Sequence, residues 1–266
     1  MAVAASTAHV GELLREWRRQ RRLSQLDLAM ASAVSARHLS FIETGRAQPS
    51  REMILHLAQR LDVPLRERNR LLLAAGYAPV FGERSLDERE MAPVREALAR
   101  FLAAHEPYPA LVMDSHWNIV AANRVIDFLT QGVADELLAP PANVLRIALH
   151  PRGMAPRIVN FADWSGYLLE RLHREIVATR DEELAALREE LTTYPGVTPN
   201  PNDAQSASRI LLVHELRLNN AALALFSTTT TFGTARDVTL AELTIEAFYP
   251  ADAQTATALA EAVSAD

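Results

Sequence analysis

Two groups of side chains in this chain have types and spacing that could do chemistry. The first lies in "SARHLSFIETGR", residues 35–46. On a helix here, Ala36, Arg37, Ser40 and Phe41 share one outward face, because residues three and four apart are neighbours. Arg37 can pair bidentately with a guanine edge, and Phe41 can touch a thymine methyl. Gln25 and Arg46, at the two ends of the region, are placed to contact phosphates. The second group is Arg146, Arg157, Asn160, Trp164 and His214, set in apolar surroundings later in the chain. An Arg in an apolar segment can hold a ligand carboxylate through a bidentate, charge-assisted pair; the alternative is an internal pair with one of the many acids. A lone His on an apolar strand, such as His214, is either satisfied in the core or a ligand contact. Trp164 is likewise either core or ligand wall.

Catalysis is not legible. The chain has no Cys, which excludes disulfides, thiolate zinc sites and Cys nucleophiles. Its eight His are scattered, with none four residues apart. There is no G-x-S-x-G, Walker loop or G-x-G-x-x-G. We expect no enzyme, no metal site and no cofactor.

The elements that position the first group are short helices. Val10, Leu13, Leu14 and Trp17 recur at helical spacing. Ser24 and Asp27 form a capping-box-like start for a helix running to about Ala31. Ser35 caps the next helix, which stops before Gly45. Ser50 caps another, and Pro64 sits in the first turn of the last, ended by Gly76. Two helices joined by a turn at about 32–34, with small Ala29 between them, have the layout of a helix-turn-helix; the alternative is an ordinary helical hairpin with a solvated Arg face. Leu28, Val34, Leu39 and Ile42 are its expected shared core.

Charge follows the same division. Residues 1–80 carry a balance of +5 and residues 81–266 one of -11, within a net charge of -6. A basic head on an acidic body suits one part to a polyanion and the other not. All 27 basic residues are Arg. No run reaches the roughly 18 apolar residues that span a bilayer, and the N-terminus lacks the pattern of a secretory signal. We expect a cytoplasmic protein without membrane contact.

Beyond residue 80 the period changes. Residues 82–106 read as a connector becoming a helix, with Pro93 in its first turn. Two strands at roughly 109–113 and 117–121 flank an Asp114-Ser115-His116 turn. Helices follow from Asn123 to about Leu129, from Val144 to Leu149, and around Trp164, Leu168, Leu172 and Ile176. Acids at 181–184 mark another helix N-terminus. A Pro/Asn/Ser-rich loop at 193–208 precedes three strand-like runs. Asn219-Asn220 is a hairpin turn between the first two. The apolar phase of the third slips between Leu240 and Leu243, which predicts a bulge. The tail after Pro250 reads as a short helix.

Two resemblances sharpen this. Ser24-Gln25, Ala29 and "HLSFIETGR", with Glu43, Gly45 and Arg46 as the closing pattern, resemble the xenobiotic-response-element-type helix-turn-helix of phage repressors and bacterial regulators over residues 8–75. That resemblance implies base contacts from Ala36, Arg37, Ser40 and Phe41, and phosphate contacts from Gln25, Ser35, Thr44 and Arg46. "EPYPALVMDSHWNIVAAN", "NVLRIALHPRG", "RIVNFADW" and "FSTTTTFGTARDVTLAELTIEAFYPAD" resemble the PAS-like ligand-binding domain of MmyB-like transcription regulators over about 107–254. It implies a pocket for a long-chain fatty acid or similar lipid.

The expected architecture is multi-domain. An all-α five-helix helix-turn-helix domain (1–80) and a linker helix (81–106) precede an α+β PAS-like domain with an antiparallel sheet (107–266). The expected function is a sequence-specific regulator binding double-stranded DNA as a homodimer, modulated by a small apolar ligand. The alternative is a regulator whose second domain is a ligand-free dimerisation or protein-interaction module.

Overall fold

The computed structural model describes residues 9–198, 211–218 and 221–264. The turn expected at Asn219-Asn220, Ile210 and the 199–208 part of the Pro/Asn/Ser-rich loop lie outside the described residues. The chain divides into two compact units. The first is Met1–Ser85 with Gly233–Ala241, and the second is Leu86–Phe232 with Glu242–Asp266.

Five helices build the N-terminal segment of the first unit: α1 (Val10–Gln20), α2 (Gln25–Ala31), α3 (Ala36–Glu43), α4 (Arg51–Arg60) and α5 (Leu65–Ala74). Three of them start on serine caps. Ser24 Oγ accepts from the Asp27 amide at 3.1 Å, and the Asp27 carboxylate accepts from the Ser24 amide at 2.9 Å. This is a complete capping box, which satisfies two otherwise orphaned amides. Ser35 and Ser50 accept from the His38 and Met53 amides at 3.1 and 3.2 Å. Pro64 lies one residue before α5 rather than within its first turn. The chain leaves α3 through Gly45 at φ 71°, the left-handed region that glycine adopts without a Cβ penalty.

The core of this unit is Leu14, Leu28, Leu39, Ile42, Ile54 and Leu57, all fully buried. Val34, expected there, is half-buried. Helices α1 and α3 approach so closely that a Cβ on Gly11 would lie 2.1 Å from the Ile42 carbonyl oxygen. Beneath α3 runs a buried ion pair. Arg18 Nε and Nη2 donate to the two oxygens of Glu43 at 2.7 and 2.8 Å, and Arg18 Nη1 donates to the Leu23 carbonyl at 2.7 Å. Residues 233–241 belong to this unit through the Val238 amide, which donates to the Gly82 carbonyl at 2.7 Å, and through an Arg84–Asp237 pair at 2.8 Å.

The second unit runs α6 (Ala92–His105), β1 (Ala110–Met113), β2 (Ile119–Ala122), α7 (Arg124–Thr130), α8 (Asp135–Leu138), α9 (Val144–Leu149), α10 (Phe161–Thr179), α11 (Glu182–Thr192), β3 (His214–Leu218) and β4 (Ala221–Thr231). It closes with β5 (Thr244–Pro250) and α13 (Ala253–Ser264); the short helix α12 (Val238–Glu242), between β4 and β5, belongs up to Ala241 to the first unit. The five strands form one sheet in the order β2-β1-β5-β4-β3, with every neighbouring pair antiparallel. The α+β architecture with an antiparallel sheet agrees with the sequence expectation.

Two more local expectations are corrected, and one helix is added. The phase slip at Leu240–Leu243 is no bulge. Residues Val238–Glu242 are helical and β5 begins only at Thr244, so the slip marks a helix-to-strand boundary. The strand read from Ile210 begins at His214. Helix α8 was not foreseen; its four residues are too few to show a period.

Two buried asparagines hold the α7–α9 side against the sheet. Asn123 Oδ1 accepts from the Ala110 amide at 3.1 Å, and its Nδ2 donates to the Tyr108 and Leu102 carbonyls at 2.8 and 3.3 Å. Asn143 caps α9 by accepting from the Leu145 and Arg146 amides, and donates to the His116 carbonyl at 2.8 Å. Each satisfies three backbone groups that burial would otherwise leave unpaired.

Candidate nucleic-acid interface and ligand cavity

In the first unit, burying Leu39, Ile42 and Glu43 turns the other side of α3 outward. Arg37 is exposed; Ala36, Ser40 and Phe41 are half-exposed. The Arg37 guanidinium lies over the Phe41 ring, 5.3 Å from its centroid. This i,i+4 cation–π contact holds the Arg along the helix face before any partner arrives. Arg46 is exposed just past α3, its amide donating to the Phe41 carbonyl at 2.8 Å.

The other residues expected at phosphates differ in what they have left to offer. A phosphate accepts, so each side chain must donate. Ser35 Oγ is the acceptor in its cap, which leaves its hydroxyl hydrogen available. Thr44 Oγ1 donates to the Ser40 carbonyl at 2.7 Å, so its hydrogen is already engaged. Gln25 Nε2 donates to Glu43 Oε2 at 2.8 Å, engaging one amide hydrogen inside the unit. Glu43 therefore gathers Arg18 and Gln25 at the seam between α1, α2 and α3. Burial alone would raise its carboxyl, but the hydrogen bonds from Arg18 and Gln25 and the charges of Arg18 and Arg15 hold it below the ordinary value.

In the second unit, the sheet and helices α7, α9 and α10 line a cavity of about 70 Å³. Its walls include Leu111, Trp117, Leu129, Ile147, Trp164, Leu168, Leu225 and Phe248, with Thr130, His214 and Glu246 as the polar residues among them. Strand alternation aims His214, Leu225 and Glu246 to this side. Thr130 Oγ1 is satisfied by the Ile126 carbonyl at 2.9 Å. Glu246, 4% exposed, takes Arg171 Nη1 on one oxygen at 3.0 Å and Ser227 Oγ on the other at 2.9 Å. Arg171 also lies over the Trp117 ring at 4.3 Å. Trp117 Nε1 in turn donates to Glu175 Oε2 at 2.7 Å, and burial raises the Glu175 carboxyl.

His214 differs from its polar neighbours. It is 5% exposed and stacks on Trp164 with ring centroids 4.1 Å apart and planes 1° from parallel. Neither ring nitrogen has a hydrogen-bond partner among the described residues. Burial pushes its imidazolium pKa down to about 3, so the ring is neutral at pH 7. The sequence offered a satisfied core histidine or a ligand contact; this one is buried and unsatisfied.

Trp164 and His214 thus come together on the cavity wall. Arg146, Arg157 and Asn160 do not line it. Arg146 makes a bidentate pair with Glu190 at 2.7–3.2 Å. Arg157 Nη1 donates to the Gln131 carbonyl at 2.5 Å, and Asn160 bridges to β3 through the Val213 carbonyl and the Glu215 amide. The expectation that either Arg faces a ligand carboxylate is replaced by these internal partners. Arg157 Nη2 is buried without a hydrogen-bond partner among the described residues, and burial lowers the Arg157 pKa. Sequence reading missed Glu246, although a carboxylate inside the apolar run "LTIEAFY" is a visible signal of a paired, buried charge. No group of three His, Cys, Asp or Glu among the described residues could hold a metal ion, and no helix among them is long and apolar enough to cross a membrane.

A helix-turn-helix unit with an outward Arg37–Phe41 face and an α+β unit around an apolar cavity are the two parts of a DNA-binding transcription regulator. Residues 94–262 match the family described as the MmyB-like transcription regulator ligand binding domain, and residues 9–71 match a helix-turn-helix domain family. The chain belongs to the MmyB-like family, and neither family is enzymatic. No curated protein matches it. Among solved structures it is similar to an RNA-binding light-oxygen-voltage receptor, at 15% identity with a TM-score of 0.27, over 99% of this chain and 65% of that one. An overlap that low carries no structural argument.

Proposed function

We propose that the chain is a transcription regulator that binds double-stranded DNA through α3 as a homodimer. In this reading its second unit takes a small apolar ligand of fatty-acid or related lipid type and thereby modulates DNA binding. The observation that carries the ligand reading is the apolar cavity with one unsatisfied polar group, His214, on its wall. An apolar pocket with few convergent polar groups is what a small-molecule site requires. One helix-turn-helix offers little surface, so two copies on half-sites roughly 34 Å apart are the expected arrangement. A ligand shifts operator affinity only by binding one state better than the other. Gel-shift midpoints are expected to move when ligand is added, and identical midpoints across chain lengths refute the switch.

For the interface, Arg37→Ala is expected to weaken operator binding by about 1–3 kcal/mol and relax one base position. Arg46→Ala is expected to weaken binding to all sequences and lower the salt slope by about 1. Fluorescence anisotropy with operator and scrambled duplexes, at several salt concentrations, separates the two. Parental binding by both variants would remove α3 as the reading helix.

A second reading keeps the DNA-binding unit and makes the second unit a ligand-free dimerisation module. Cavity size favours it: about 70 Å³ lies below the roughly 300–1,000 Å³ of ordinary ligand pockets. Native mass spectrometry decides between them, since a co-purifying mass of a few hundred daltons requires the ligand reading.

A further inference from the structure

We infer that residues 233–241 are the route by which occupancy of the cavity reaches the DNA-binding helices, and that Asp237 and Val238 are the joint of that route. This rests on the proposed ligand response and names its path.

The course of the chain is the first observation. Strand β4 ends at Thr231 and β5 begins at Thr244. Both line the cavity, β4 through Leu225 and β5 through Glu246 and Phe248. The segment between them, Gly233–Ala241, belongs to the first unit. The backbone therefore passes from one unit to the other at 85–86, at 232–233 and again at 241–242. A single flexible linker leaves two units free to move independently. Two further crossings, each next to a strand of the cavity wall, remove much of that freedom.

The second observation is how this segment is held. The Val238 amide donates to the Gly82 carbonyl at 2.7 Å, and the Val238 side chain is fully buried. Asp237 is buried and uses both carboxylate oxygens. Its Oδ1 accepts from the Thr239 amide at 3.0 Å, capping α12. Its Oδ2 accepts from Arg84 Nη1 at 2.8 Å. One carboxylate thus ties the helix that leads into β5 to the connector that follows α5.

The connector is in turn fixed to α5. Asn69 Oδ1 accepts from the Val80 and Phe81 amides at 3.0 and 3.1 Å, and Asn69 Nδ2 donates to the Phe81 carbonyl at 2.8 Å. Arg66 pairs with Glu83 at 2.6 Å. These contacts run without a gap from α5 through residues 80–84 and 237–238 to α12 and β5. Contiguous packed and hydrogen-bonded elements of this kind carry coupling between sites. Coupling in binding free energy is reciprocal. A ligand that displaces β5 moves α12 and the connector, and DNA that holds the first unit restrains β5.

The test uses the full chain and a duplex that the parent selects from a random pool. The double variant Asp237→Asn, Val238→Pro opens the joint at small local cost. Asparagine keeps an oxygen for the α12 cap and loses the charge pair; proline suits the first position of a helix and removes the amide. Thr239→Ala, one residue on, is the control. All three proteins should bind the duplex within about twofold of one another, because the joint lies outside α3 and distant sites act independently. On adding duplex, β5 amides of the parent and of Thr239→Ala should exchange about fivefold more slowly, and those of the double variant should change by less than about twofold. Asp237→Asn alone, which disturbs only the side-chain pair, should fall between. Unchanged β1 exchange in the absence of duplex shows that the variants are folded. Dodecanoate reads the opposite direction: it should move the duplex midpoint of the parent about fivefold and that of the double variant by less than about twofold, at equal dodecanoate affinity without duplex. A β5 that does not respond to duplex in the parent, or a double variant that responds like the parent in either direction, overturns the inference. Dodecanoate that does not bind the parent, or binds without moving its midpoint, overturns the ligand response alone, since the duplex arm decides the route without it.

Discussion

Glu43→Ala is expected to open the first unit at neutral pH while leaving the second folded. The substitution leaves the Arg18 guanidinium, 7% exposed, without its carboxylate in the seam of α1, α2 and α3. It also releases the Gln25 amide. Breaking a buried pair by removing one partner costs about 3–5 kcal/mol, because an uncompensated charge remains inside. Against a total domain stability of about 5–15 kcal/mol, that is a large share for a small five-helix unit. Hydrogen exchange reads the two units separately. Amides of α1 to α5 should lose protection, and those of β1 and β5 should keep it. Unchanged protection in α3 would remove the pair from the list of things that hold this unit together. Arg18→Met combined with Glu43→Leu should recover much of the loss, because matched apolar replacement removes both charges together.

The same pair sets an acid limit. The Glu43 carboxyl lies below its ordinary value in the folded chain and returns to about 4.3 on unfolding. Its contribution to stability is therefore complete above that pH. It is lost as the pH falls through the lower, folded value. Glu43→Gln should show a weaker base level of protection without this acid-dependent component.

Trp164→Ala is the second large effect, and it falls on the other unit. Trp164 is 5% exposed, stacks on His214 and lies against Tyr167, with centroids 5.5 Å apart. Truncating a buried aromatic to alanine costs about 3–5 kcal/mol through lost transfer energy and the cavity left behind. Exchange protection of β3 to β5 should fall, while α3 and operator binding by the surviving folded fraction are retained. The new space is continuous with the existing cavity, which Trp164 lines. Millimolar indole should raise the melting temperature of Trp164→Ala and leave the parent unmoved. An equal response of both would mean that the wall is not where the indole binds.

Much of the first unit was readable from residue order. Its caps are local: Ser24 with Asp27, Ser35 with the His38 amide, and Ser50 with the Met53 amide each span three residues. So is the stop at Gly45. Its apolar residues recur at helical spacing, and five helices formed where that spacing placed them. The second unit was less legible, for physical reasons visible at particular sites. The run 238–249 keeps apolar residues in both a helix and a strand, so its period could not show that α12 ends at Glu242. The four residues of α8 are too short for any period.

For the sites the division is similar. Composition and order alone determined a basic, Arg-bearing set of short capped helices ahead of an acidic α+β body without cysteine chemistry, because charge balance, capping and alternation are properties of neighbouring residues; the helix-turn-helix reading came with the family resemblance of residues 24–46. They also marked Arg146, Arg157, Asn160, Trp164 and His214 as candidates, without their partners. Only the tertiary structure decided that Glu190, 44 residues away, takes Arg146, and that Trp164 and His214 meet 50 residues apart on one wall. It likewise decided that Glu43 is held by Arg18 from 25 residues away. Which polar group finds a partner and which is left without one depends on what the fold brings within about 3 Å of it, and no local pattern carries that distance.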